Sequence, residues 1–73
     1  MSDYTLEKAN ELADLALAEQ AASGDEKIVI AVGEVLGASS QTLQEAYLTA
    51  IRVRRAEARA REMIAASAAK RGA

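Results

Sequence analysis

From Gln41 to Ala69 the chain contains neither glycine nor proline, so nothing in that stretch breaks a helix. A straight helix of about 30 residues is about 45 Å long, at about 1.5 Å per residue. A compact domain of 73 residues has a radius of gyration of about 11 Å. The last four turns of such a helix cannot all lie on the core of their own chain. The sequence therefore predicts one small domain, residues 1–73, made of a globular part over about 3–53 and a basic helical arm over about 54–73. An arm of this kind is expected to be held by a protein partner or by a second copy.

Two shorter segments precede it. Ser2 or Asp3 can cap a first helix over about 3–22, with Leu6, Ala9, Leu12, Ala13, Ala16 and Leu17 on one broad arc and Glu7, Glu11 and Asp14 opposite. Ser23-Gly24 supplies a glycine where helices commonly end in the left-handed region. Asp25 is then placed to cap a second helix over about 26–36. Its Ile28-Val29-Ile30-Ala31-Val32 run is β-branched enough to suggest a strand. At the helical period Ile28, Val32, Val35 and Leu36 share an arc, with Lys27 and Glu34 opposite and Ile30 the one large misfit. At the strand period Glu34 joins the apolar face, so the helix is preferred. The alternative is an α+β fold with a short hairpin at 27–38. Gly37 is expected to end the second helix. Ser39 or Ser40 then caps the third, over about 40–69, whose apolar face is Leu43, Ala46, Tyr47, Ala50, Ile51 and Val53. The fold class expected is all-α.

The core available to these helices is thin. Eighteen residues are alanine, Phe and Trp are absent, and the large aliphatics are mostly seven Leu, four Val and four Ile. Alanine permits close helix approach but buries little area, so a chain like this is expected to complete its core as a homo-oligomer.

Composition also excludes chemistry. With no Cys and no His there is no disulfide framework, no Ser–His or Cys–His pair, and none of the usual ligands for zinc, haem or iron–sulfur clusters. Ser39 and Ser40 have no neighbouring base and read as helix caps, and Gly33 and Gly37 lack the pattern of a phosphate loop. No catalytic residue, metal, cofactor or small-molecule substrate is expected. The first ten residues lack the apolar core of a signal peptide, and the longest apolar run, 28–33, is far too short for a membrane span. A cytoplasmic, non-membrane protein is the expectation.

The net charge of −2 hides a strong asymmetry. Residues 1–49 hold nine acids and two lysines (−7), and residues 50–73 hold seven Lys/Arg and two Glu (+5). An acidic head with a basic tail can pair with its own kind or grip an anionic partner.

One local pattern has a resemblance. Glu34-Val35-Leu36-Gly37-Ala38-Ser39, followed by Gln41-Thr42-Leu43, resembles the helix-turn-helix of small DNA-binding regulators over residues 29–48. That resemblance implies Gly37 at the turn, Leu36 as buried anchor, and Ser39, Ser40, Gln41, Thr42, Gln44 and Glu45 toward the major groove. Arg52, Arg54, Arg55, Arg59 and Arg61 would then hold phosphates. The same residues also suit a plain αα-corner.

Two functions follow. The preferred one is a non-enzymatic protein–protein interaction module forming a helical oligomer, an assembly, adaptor or inhibitor subunit such as a small phage or secretion-apparatus component, with Val29, Ile30, Val35, Arg54, Arg55, Arg59 and Arg61 at the partner interface. The alternative is a small helix-turn-helix nucleic-acid-binding regulator, with Ser39, Ser40, Gln41, Gln44, Arg52, Arg55 and Arg59 as its contacts.

Overall fold

The structure is a computed structural model that describes residues 2–72. It contains three helices, α1 (Asp3–Ser23), α2 (Ile28–Ser39) and α3 (Gln41–Gly72), and no strand among the described residues. The all-α expectation is met, and residues 27–38 form no hairpin. The final residue of the expected arm, Ala73, lies outside the described residues.

Local chemistry explains most of the boundaries. Ser2 caps α1, its Oγ accepting from the Thr5 backbone N–H at 3.1 Å. The helix ends at Gly24, whose φ of 75° only glycine adopts cheaply and whose N–H donates to the Gln20 carbonyl at 2.9 Å. Asp25 does not start α2 directly. Its Oδ1 accepts from the Lys27 N–H at 2.9 Å, which folds Glu26-Lys27 into a turn, and the helix proper begins two residues later than expected, at Ile28.

The larger correction concerns Gly37, which stays inside α2 and does not end it. The chain turns at Ser40 alone. Ser40 is extended (φ −154°, ψ 102°), its N–H donates to the Leu36 carbonyl at 2.7 Å, and its Oγ accepts from the Leu43 N–H at 3.2 Å. One residue thus closes α2 and opens α3. Gly37 serves packing. A Cβ there would lie 2.6 Å from Gln44 Nε2, so its absence leaves room for the Gln44 amide, which donates to the Gly33 carbonyl at 2.9 Å.

Contacts fix the directions of the helices. Tyr47 meets Val29 while Gln44 meets Gly33, so α2 and α3 are antiparallel. Ser40 and Leu43 share a groove with Tyr4 and Thr5, and Arg54 reaches Asn10 and Asp14, so α1 and α3 run the same way. The core is Ala9, Ala13 and Ala16 of α1, Val29 of α2, and Ala46, Tyr47, Ala50 and Ile51 of α3. Leu12, Leu17, Ile28, Val32, Leu36, Leu43 and Leu48 border it, half-buried. Among the described residues Tyr47 is the one large side chain buried completely.

Three residues expected on core faces are exposed: Leu6, Val35 at 70% and Val53 at 57%. A helical wheel gives each residue a direction but not the neighbour that covers it. Both α1 and α2 cover the side of α3 that carries Ala46, Tyr47, Ala50 and Ile51, which leaves Val53 on the far side.

Beyond Arg54 every described residue of α3 is exposed. The radius of gyration of 15.0 Å exceeds the compact value of about 11 Å, and the longest dimension of 52 Å follows α3.

Candidate partner interface

Arg54 marks where the core ends. Its Nε donates to Asp14 Oδ1 at 2.7 Å, its Nη1 to Asn10 Oδ1 at 3.2 Å and to the Ala50 carbonyl at 3.1 Å, and its Nη2 to the Asn10 carbonyl at 3.4 Å. The hydrogen bond from Arg54 holds the Asp14 carboxyl below its ordinary range, and the same bond raises the guanidinium. Arg54, expected at the partner interface, therefore ties α3 to α1 of its own chain.

Val29 also leaves the expected interface. It is 3% exposed in the core cluster, and its carbonyl accepts from the Tyr47 hydroxyl; Val29 and Gly33 are the buried residues of α2. Ile30 is exposed as expected, and so is Val35, which the helical arc turns toward the core; five residues separate them, about 140° around the helix, so they make no common patch.

On the arm, Glu57 accepts from Arg61 Nε at 2.7 Å, an exposed pair one turn apart. Arg52, Arg55 and Arg59 are exposed and have no carboxylate partner among the described residues. The large apolar side chains here, Val53, Met63 and Ile64, are 57–75% exposed. Val53, Ala56, Ala60 and Met63 recur at spacings of three, four and three, the seam of a helix that packs on another helix. Alongside the core, the same free face of α3 is polar: Thr42, Glu45, Thr49 and Arg52 are all exposed. The apolar surface starts where the core stops.

The residues expected to read bases divide. Ser39 and Gln41 are exposed, with Gln41 Nε2 donating to Glu45 Oε1 at 3.4 Å. Ser40 is half-buried as a cap, and Gln44 is half-buried with its amide on Gly33.

A second apolar feature was missed in the sequence. Tyr4, Leu12 and Leu15 of α1 and Leu43 of α3, with Thr5, Lys8, Glu11 and Ser40, line an open groove of about 430 Å³. Tyr4 and Leu15 are exposed. Between them Lys8 Nζ lies 3.3 Å from Glu11 Oε2 and 5.4 Å from the Tyr4 ring centre. The hydrogen bond and charge of Glu11 hold the Lys8 ammonium above its ordinary range. Eleven residues return to within about 20° on a helix, so Tyr4 and Leu15 share one stripe, a legible signal obscured by the alanine arc beside it.

Among the described residues no three acids cluster closely enough to hold a metal ion, and no helix is long and apolar enough to cross a membrane. No family model matches this chain, and no curated protein or solved structure shows significant similarity to it.

Proposed function

We propose that this chain is a non-enzymatic protein–protein interaction module that works as a subunit of a helical assembly. The observation that supports this reading is the outer half of α3. Residues 55–72 are exposed along their whole length, yet with Val53 they carry an apolar seam ending in Met63 and Ile64. The arm extends an already nucleated helix, so its helicity requires no partner; its exposed apolar seam is what a helix-on-helix contact would cover. Sedimentation equilibrium over a range of concentrations tests it. The full chain should associate, and Met63→Asp with Ile64→Asp should leave a helical monomer. A full chain that stays monomeric at every concentration would remove the reading, and unchanged association in the double variant would place the contact elsewhere.

A second reading has its own observation. Arg52, Arg55 and Arg59 form a stripe of exposed guanidinium groups without a carboxylate partner among the described residues, on the side of α3 that carries exposed Gln41 but about 16 Å or more further along, and such a stripe suits phosphate contacts. Anisotropy of a labelled generic duplex titrated with salt tests this. Binding that falls with a log–log slope of about −0.9 per phosphate supports it, and no binding at about 50 mM salt removes it.

A further inference from the structure

We infer that the partner of the arm is a second copy of this chain, and that the arm seats in the groove between α1 and α3 of that copy. The inference rests on the proposed interaction function and names its partner. Two surfaces need covering: the seam at Ala60, Met63 and Ile64, and the groove walled by Tyr4, Leu15 and Leu43. Their own chain cannot bring them together, because α3 runs unbroken away from the core without glycine or proline between Gln41 and Ala69.

Charge selects the pairing. Over 55–72 the arm has five Lys/Arg and two Glu, a net +3, whereas α1 has five acids and one lysine, a net −4. Two arms packed together along their seams would set +3 beside +3. Asp14 is already paired with Arg54, so an arm on α1 sets +3 against −3; Glu11 shares the groove wall with its partner Lys8, and Glu19 is exposed one turn past Leu15. Size agrees as well. Tyr4 to Leu15 extends about 17 Å along α1, and the apolar seam from Ala56 to Ile64 extends about 12 Å along the arm. The contact joins two different patches, so it closes when two copies exchange arms and otherwise grows head to tail.

The chain has no cysteine, which makes cross-linking unambiguous. Leu15→Cys and Ile64→Cys alter exposed positions, and circular dichroism would verify that each variant folds. The two variants, one carrying a size tag, are mixed at a concentration where sedimentation reports association and then oxidised. The expected product is the mixed disulfide joining one Leu15→Cys chain to one Ile64→Cys chain, lost when Glu11→Lys and Glu19→Lys are added to the Leu15→Cys chain. Association with disulfides only between two Ile64→Cys chains would overturn the inference and leave the interaction module standing as an arm-to-arm assembly. Monomers at every concentration would overturn both.

Discussion

The hydroxyl of Tyr47 donates to the carbonyl oxygen of Val29 at 2.7 Å, and both residues are buried. This bond ties the second turn of α3 to the first turn of α2 in a core otherwise made mainly of alanine. Burial pushes the Tyr47 phenol above its ordinary value, so it remains a donor at any physiological pH.

Tyr47→Phe should cost about 1 kcal/mol, the net worth of one buried hydrogen bond, and Tyr47→Ala about 3–5 kcal/mol. For a domain this small the first corresponds to a fall in Tm of about 4–8 °C. Thermal melts followed by circular dichroism measure both. Equal effects of the two substitutions would mean that the ring does not anchor the core.

Two α2 glycines should respond differently to alanine. At Gly33 an added Cβ meets Leu48 and Tyr47 at an ordinary 3.6 Å, so Gly33→Ala should gain up to about 1 kcal/mol of helix propensity. At Gly37 it displaces the Gln44 amide and breaks its bond to Gly33, which should offset a similar gain. In urea unfolding, Gln44→Ala should cost about 1 kcal/mol in the native background and almost nothing after Gly37→Ala.

Acid should weaken the Asp14–Arg54 pair. The Asp14 carboxyl titrates lower in the folded chain than its ordinary 3.8, so the unfolded chain binds the proton first. The stabilisation is fully present above that ordinary value and is lost as pH falls through the lower, folded one. Asp14→Asn should therefore lower Tm at pH 6, and the gap to the native chain should close as pH falls below 3.8 through the lower, folded value. A gap that persists unchanged at pH 2 would show that the pair contributes nothing to the acid response.

Neighbouring residues of α2 should separate core from surface. Val29→Asp should unfold the chain, because it buries an unpaired charge at a 3% exposed site. Ile30→Asp, at a 63% exposed site, should change stability by no more than about 0.5 kcal/mol. Far-UV circular dichroism distinguishes the two.

The arm should be dispensable for folding. A chain ending at Ala58 loses no buried residue, so its Tm under dilute conditions should stay within a few degrees of the full chain. Under the proposed function its mass in solution should fall to that of a monomer at all concentrations.

The three helices, the left-handed stop at Gly24, the serine caps and the arm beyond the core were legible in the sequence. Each depends on local chemistry, namely the period of apolar residues, one backbone conformation, one cap, or helix length against domain size. What was not legible depended on residues far apart in the chain. Gly37 reads as a turn because glycine commonly ends helices, but the nearby amide of Gln44 requires the same missing Cβ within a helix. Val29 reads as surplus apolar surface until the packed helices bury it in one cluster with Tyr47. Arg54 reads as the first residue of a basic arm until α1 brings Asn10 and Asp14 to it. The groove at Tyr4 and Leu15 exists only where α1 and α3 come together. The sequence by itself determined where helices form, because that is settled within a few residues. Only the tertiary structure decided which faces are covered, because burial belongs to pairs of helices and no single helix carries the information.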